Sequence, residues 1–198
     1  MKEELDALTK NHTWDLVTLP PRQFVVGCKW IYKIKTCSDG FIERYKACLV
    51  AKGFTQEYGI DYEKTFALVA RISTIRALLA VAATSKWDLF QMDVKNAFLN
   101  GELSEEVYMQ PPLGLSIDSN KVCHLRRALY GLKQAPRAWF TKFSSTIFRL
   151  GYTASSYDSA LFLCRTDKGT ILLLLYVDDM IITGDDLSGI QELKDFLS

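Results

Sequence analysis

The spacing of hydrophobic positions along this chain changes several times, and each change marks an element. Leu5 and Leu8 stand at helical spacing within residues 1–10, which read as a short helix ending near Asn11. Thr13 to Pro21 closes in a Pro-Pro pair and is expected to be irregular. From Phe24 to Lys35 the period falls to two. Trp30, Tyr32 and Ile34 take one face, and Lys29, Lys33 and Lys35 the other, with Ile31 among them. Ser38-Asp39-Gly40 is a turn signal, and Phe41 to Ala51 returns as the second strand of a hairpin. Residues 54–70 read as loop. Ser73 to Lys86 is predicted to be a helix with Ile75, Leu78, Leu79 and Ala82 on one face and a Ser/Thr start. Trp87 to Val94 is a strand ending in Asp93; Asn96 to Leu99 runs into the turn Asn100-Gly101, and Val107-Tyr108-Met109 is a short strand. Residues 113–121 are a loop. Val122 to Leu132 leads into Gln134-Ala135-Pro136, where Pro136 suits a first helical turn. That helix has a wide apolar face of Trp139, Phe140, Phe143, Ile147 and Leu150, closed by Gly151. Ala160 to Arg165 and Gly169 to Val177 are expected to pair across Thr166-Asp167-Lys168, and Leu187 to Leu197 begins a further helix. No repeat, linker or second-domain signal interrupts this order, which predicts an α+β fold with an antiparallel sheet backed by helices.

Chemistry concentrates at Tyr176-Val177-Asp178-Asp179. The apolar run Ile171 to Leu175 precedes it and Met180 to Gly184 follows, so the pattern is a hairpin with a two-residue acidic tip. Neighbouring carboxylates between buried strands repel each other unless a cation neutralises them, and hard divalent ions take oxygen ligands. A solvated acidic turn is the other reading of these residues, because turns favour Asp. Asp93 ends the strand Leu89-Phe90-Gln91-Met92. If that strand lies beside the hairpin, three carboxylates converge, and such a cluster can hold two divalent ions that neutralise phosphate and activate an attacking hydroxyl. Phosphoryl transfer needs mainly positioning and electrostatics, so no His, Ser or Cys nucleophile is required.

Composition narrows the classes further. The 198 residues are 48% hydrophobic and 24% charged, ordinary for a globular chain that can bury one sizeable core, or form a domain with a smaller lobe. The net charge of +1 conceals basic clusters, one on the hairpin (Lys29, Lys33, Lys35, Arg44, Lys46, Lys52) and one near residues 126–142. The hairpin is either a solvated basic edge that resists aggregation or a flap that meets phosphates. Five cysteines without CxxC spacing and only two histidines, His12 and His124, argue against a zinc site and read as reduced thiols of an intracellular protein. The longest apolar run, Ile171 to Val177, is a strand, so no membrane partner is expected, and Met1-Lys2-Glu3-Glu4 opens no leader segment.

Four blocks carry a family resemblance. Tyr45 to Phe54 (YKACLVAKGF), Leu89 to Gly101 (LFQMDVKNAFLNG), Ala128 to Trp139 (ALYGLKQAPRAW) and Tyr176 to Asp179 (YVDD) resemble, in order, motifs of Ty1/copia-type retrotransposon reverse transcriptases; Asn11-His12-Thr13-Trp14 and Cys28-Lys29-Trp30 resemble the start of that domain. The resemblance covers nearly the whole chain. It implies a right-hand polymerase, with about residues 1–86 fingers-like and about 87–198 palm. The thumb, connection, RNase H, integrase and protease regions of a parent Pol polyprotein would lie outside it.

The resemblance also implies roles. Asp93, Asp178 and Asp179 match the catalytic carboxylates. Asp93 and Asp178 would be the direct ligands of two Mg²⁺ ions (Mn²⁺ can substitute), helped by the Val94 carbonyl, while Asp179 stands at the far side of the turn. A primer 3′-hydroxyl would attack the α-phosphate of a deoxynucleoside triphosphate on an RNA or DNA template. Phe98, five residues after Asp93, stands where the family places an aromatic steric gate, or is a core Phe. Gln134 matches the nucleotide and template-base pocket, or is a helix cap. Lys46 and Lys52 are candidate triphosphate or template contacts. Lys29, Lys33, Lys35, Arg126, Arg127, Lys133, Arg137 and Tyr176 are candidate nucleic-acid contacts, each with a surface role as the alternative. Two positions depart from the family: Cys48 stands where Arg is usual, removing a planar cation from the fingers strand, and Leu68 replaces Pro. The second reading is therefore a retroelement fragment that binds nucleic acid without polymerising. Cytoplasmic particles or the nucleus are the locations the resemblance implies.

Overall fold

A computed structural model describes residues 1–65, 67–115 and 120–197. Among the described residues the chain runs through α1 (Lys2–Lys10), β1 (Trp14–Thr18), β2 (Val25–Val26), β3 (Cys28–Thr36), β4 (Ile42–Ala51), α2 (Ile72–Ser85), β5 (Leu89–Asp93), β6 (Glu102–Met109), β7 (Lys121–Arg127), α3 (Ala135–Arg149), β8 (Thr153–Ala154), β9 (Leu161–Arg165), β10 (Thr170–Tyr176), β11 (Asp179–Gly184) and α4 (Leu187–Leu197). Short 3₁₀ turns occupy Gly53–Thr55 and Ala97–Asn100. The fold is mixed α+β. It divides into two compact units, Met1–Phe66 with Phe98–Trp139, and Ala67–Ala97 with Phe140–Ser198, although no linker-like stretch separates them in the sequence.

The first unit holds a four-stranded sheet in the order β1-β7-β6-β2 and the two-stranded ribbon β3-β4. The segment expected to be irregular is a strand here. Trp14 to Thr18 pairs antiparallel with Lys121 to Leu125, so a partner far along the chain supplies hydrogen bonds that local composition does not announce. β6 is longer than expected, and its register with β7 shifts between Glu102 and Val107, an irregularity that apolar patterning does not reveal. At the ribbon's root Ala51 N donates to Tyr130 O at 2.8 Å and Lys52 N to Gly27 O at 2.7 Å. Two backbones pass so closely there that a Cβ on Gly53 would meet Gly131 O at 2.0 Å, and one on Gly131 would meet Ala51 O at 2.1 Å. Only glycine fits at either position.

The second unit is built on the antiparallel sheet β5-β11-β10-β9-β8. β10 is its middle strand, and apolar groups cover it on both sides, which accounts for the unbroken run Ile171 to Leu175. On one face lies Phe162, fully buried, with Phe140, Phe143 and Phe148 of α3 around it at centroid distances of 6.4, 5.8 and 5.8 Å. On the other, Ile75 and Leu78 of α2 cluster with Leu161, Leu172, Leu174 and Ile181. Each fully buried side chain of this size stabilises by about 1.5–3 kcal/mol. Leu79, expected on the buried face of α2, stands partly in solvent instead.

The start of α2 also differs from the Ser/Thr cap its sequence suggests, since Arg71 occupies the cap and makes no side-chain cap bond. Asp158 does the capping from elsewhere in the chain. Its Oδ2 accepts from Arg71 N (2.9 Å) and Thr74 Oγ1 (2.6 Å), and its Oδ1 from Ala160 N (3.0 Å). Burial by itself would raise this carboxyl, but the Thr74 hydroxyl and the Arg71 and Ala160 amides outweigh it and hold it below its ordinary 3.8. A lowered native value means that the stabilisation is complete above the unfolded value and is lost as pH falls through the native one. Asp158→Ala is expected to cost about 2–3 kcal/mol at neutral pH, from the lost bonds and the uncapped helix. The difference between variant and parent should shrink on acidification below the ordinary carboxylate range, measured by denaturant unfolding; a difference that persists there contradicts the assignment. Asp186 caps α4 in the same manner, accepting from Gly189 N, Thr166 Oγ1 and Ser188 Oγ. These donors, led by the Gly189 amide, hold its carboxyl down at about 2.

Candidate functional site

β5 and β11 are neighbours, and their register sets Asp93 directly opposite Asp179. Opposed antiparallel residues share a face with Cβ atoms about 4.5–5.5 Å apart. Val94 N donates to Asp178 O at 3.0 Å, tying the end of β5 to the hairpin loop. The loop itself is Val177-Asp178, one residue earlier than the acidic tip expected: Tyr176 pairs with Asp179, which already begins β11. The final apolar residue before the acids thus belongs to the turn, a one-residue offset that hydrophobic patterning does not resolve. Val177 has φ +58°, a left-handed conformation that costs a β-branched residue about 1–3 kcal/mol and holds Asp178 at the apex.

The electrostatics of this end of the sheet are unbalanced. Asp93 is exposed, while Asp178 and Asp179 are half-buried. The polar partner of Asp179 is Gln91, whose Nε2 donates to Oδ1 at 3.3 Å. No basic side chain among the described residues pairs with any of the three carboxylates. Like charges directly opposed across strands are destabilising, so the arrangement favours a cation. The donor chemistry, hard carboxylate oxygens with a backbone carbonyl beside them, suits a divalent ion. The side chains are not gathered round a common point as they stand; among the described residues no trio of His, Cys, Asp or Glu forms a ready metal-binding set. The strand register sets Asp93 opposite Asp179, and Asp178 stands next to Asp179 in the hairpin loop.

A cleft of about 370 Å³ in the first unit is lined by Ile31, Lys33, Lys35, Lys46, Cys48 and Val50 of the ribbon, with Tyr130 and Gly131. The register explains this lining, since Lys33 is opposite Lys46 and Ile31 opposite Cys48 on one face. Burial raises the Cys48 thiol, Glu4 adds to the rise, and Lys46, Lys33 and Lys35 oppose it. Cys48 is therefore a neutral thiol among three lysines. Lys29 is exposed on the same ribbon face, outside the lining, and Lys52 lies along Gly27 rather than in the cleft. Phe98 is buried, and its ring meets that of Tyr130, a residue of the cleft wall, edge-on with centroids 4.6 Å apart.

The other candidates are placed as follows. Gln134 is buried with both ends of its amide engaged: Nε2 donates to Asp61 O and Oε1 accepts from Gln56 Nε2, each at 3.0 Å. It braces the loop that follows the ribbon. Lys133 is likewise committed, donating to Gln56 O at 3.0 Å and Tyr62 OH at 3.2 Å. Gln56, which receives Lys133 N as well, is the hub of this network and carried no signal in the sequence because its partners lie more than seventy residues away. Arg126 pairs with Asp15, and Arg127 Nη1 donates to Leu99 O at 3.3 Å; both border a second cleft of about 410 Å³ that also holds His12, His124 and Glu102 to Glu106. Arg137 is exposed on α3, and Tyr176 is half-exposed beside Asp179.

Comparison with known proteins agrees with these motifs. A family model described as reverse transcriptase (RNA-dependent DNA polymerase) matches residues 11–198. The chain is 46% identical over its full length to the retrovirus-related Pol polyproteins from transposons RE1 and RE2 of Arabidopsis thaliana. It is 44% identical, again over its full length, to that from transposon TNT 1-94 of Nicotiana tabacum. It spans 14% of the length of the RE1 and RE2 polyproteins and 15% of the TNT 1-94 one. No helix among the described residues is long and apolar enough to cross a membrane.

Proposed function

The chain belongs to the reverse transcriptase (RNA-dependent DNA polymerase) family, and from that premise we propose that it adds deoxynucleotides to a primer 3′-hydroxyl on an RNA or DNA template. The observation that carries this reading is the cross-strand couple Asp93–Asp179, without a basic partner among the described residues, and Asp178 on a strained loop beside it. Asp93, Asp178 and Asp179, with the Val94 carbonyl, would hold magnesium, for which manganese can substitute. Bound there, the metal supplies neutralisation of phosphate charge and a more acidic primer hydroxyl. The hydroxyl oxygen bonds to the α-phosphorus, the bond to the β-phosphate oxygen breaks, pyrophosphate leaves, and the hydroxyl proton passes to solvent. Lys33, Lys35 and Lys46 attract the triphosphate as point charges. The fingers and palm of a right-hand polymerase are the architecture this proposal assigns to the chain, with Lys29, Arg126, Arg127, Arg137 and Tyr176 along the nucleic acid. Incorporation assays test the reading: the nucleotide added must follow the template base, and indifference to template sequence refutes it.

Phe98 is proposed to set sugar selectivity by holding an aromatic surface against the ribose, braced by Tyr130. Phe98→Ala is expected to raise incorporation of ribonucleotides relative to deoxynucleotides by about tenfold or more, since one steric clash is worth roughly 1–3 kcal/mol. Unchanged discrimination removes Phe98 from this role and leaves it a core residue.

Cys48 favours the second reading, a chain that holds nucleic acid without extending it, because the cleft lacks a bidentate phosphate donor. Cys48→Arg is therefore expected to lower the KM for the incoming triphosphate by about tenfold or more, as charge-assisted hydrogen bonds are worth roughly 1.5–3 kcal/mol. An unchanged KM in an active chain shows that the three lysines already suffice.

A further inference from the structure

A cleft of about 280 Å³ in the second unit is walled by Leu150, Tyr152, Cys164, Ile171, Leu193 and Phe196. Leu150 and Tyr152 flank Gly151, just beyond the end of α3. The register of β9 with β10 sets Cys164 opposite Ile171, so the two share one face of the sheet. α4 comes close to that face at Gly189, where a Cβ would meet Ile171 Cδ1 and Asp186 Oδ2, each at 2.7 Å. Leu193 and Phe196, one and two turns further along α4, complete the wall. The cleft lies at the Ile171 end of β10, about 17 Å along the strand from Tyr176 and the acidic loop.

One polar group in this cleft is left over. Tyr152 is only 6% exposed, and among the described residues its hydroxyl has no hydrogen-bond partner. Burial pushes the phenol up, and nearby Cys164 and Asp186 add to the rise, so the hydroxyl stays protonated. Asp186 does not take its proton: Oδ1 already accepts from Gly189 N and Ser188 Oγ, and Oδ2 from Thr166 Oγ1. No sealed side-chain nitrogen or oxygen among the described residues lacks a partner, so the hydroxyl opens on the cleft that its ring lines. A donor left unmade in so buried a place favours a ligand that brings an acceptor. Charge and size narrow the class. Glu192 lines the cleft, and ionised Asp186 holds two more of its residues, Thr166 and Gly189, so an anion is disfavoured. The other walls are apolar, with Cys164 acting as a small hydrophobe. A cavity of roughly 150 Å³ holds benzene, so this one has room for about ten non-hydrogen atoms. We propose that the cleft binds a compact, neutral aromatic molecule through one carbonyl-type acceptor, which takes the Tyr152 hydrogen bond while the ring lies against Leu193 and Phe196. The inference concerns binding alone and does not depend on polymerase activity.

The test is fluorine NMR of 4-fluoroacetophenone titrated with the full chain, beside 4-fluoroethylbenzene, which has the same ring and no acceptor. The parent is expected to bind the ketone with a Kd of about 1 mM or below, the range open to a ligand of ten non-hydrogen atoms. Tyr152→Phe keeps the ring and removes the hydroxyl alone; it should weaken the ketone about threefold to tenfold and leave 4-fluoroethylbenzene unchanged. Phe196→Asp, at a position 56% exposed on the rim, should weaken both probes about tenfold or more. Circular dichroism verifies that both variants fold. A ketone resonance that the parent leaves unmoved up to about ten times that Kd overturns the proposal. So does a Tyr152→Phe chain that binds the ketone as the parent does, or loses both probes equally. Binding of both probes that survives Phe196→Asp places them elsewhere on the chain and overturns it as well.

Discussion

Exchange of Asp178 for Asn is expected to lower primer extension by about a thousandfold while the chain stays folded and still holds primer–template. The substitution keeps the volume of a half-buried loop residue and leaves intact the backbone bond from Val94 N to Asp178 O, so no packing is lost. It removes one of three negative charges at the end of β5 and β11, where no basic side chain among the described residues offsets them. Metal-assisted charge stabilisation is worth several kcal/mol in a phosphoryl-transfer transition state, and about 4 kcal/mol corresponds to about three decades of rate. The same change should slightly stabilise the fold, because like charges in proximity cost energy when no cation is present. Extension and thermal unfolding of the variant check both halves. Extension within tenfold of the parent would show that Asp178 does not act in the chemistry.

Gly131→Ala is the substitution expected to damage the first unit most. Gly131 has φ +92°, and an added Cβ would stand 2.1 Å from Ala51 O and 2.7 Å from Val50 Cγ1. The crowded atom is backbone at the end of β4, which is also held by the bond from Ala51 N to Tyr130 O. Neither side can yield without moving the ribbon root, so a loss of about 3 kcal/mol or more is expected. For a chain of this size that is a fall in Tm of about 6–12 °C. Because Gly131 and Tyr130 form part of the cleft wall, triphosphate binding should weaken together with stability. A Tm within about a degree of the parent contradicts the close approach described at the ribbon root.

What the sequence made legible follows from the range of the forces involved. The ribbon β3-β4 was readable because alternation and the turn Ser38-Asp39-Gly40 are local, and its two faces fall as the pattern predicts. The helices α2 and α3 were readable from their apolar stripes. Trp14 to Thr18 was not, since its strand exists through pairing with β7, more than a hundred residues away. Asp158, Gln56 and Tyr130 carry no local signal for the same reason, each acquiring its role from partners that only the fold brings near. At the candidate site, Asp93 and the aspartates of the hairpin were legible as residue types, whereas the opposition of Asp93 to Asp179 and the place of Val177 in the turn depend on register. Gln134 and Lys133 show the converse. Their motif points to a pocket, yet their hydrogen-bonding groups are already committed to Gln56, Asp61 and Tyr62.

The most direct measurement is extension of an end-labelled DNA primer annealed to an RNA template by the unmodified chain, with magnesium and all four deoxynucleoside triphosphates. The account predicts products that lengthen to the template end and vanish when a chelator is added. A folded chain that binds the primer–template and leaves the primer at its starting length would contradict it.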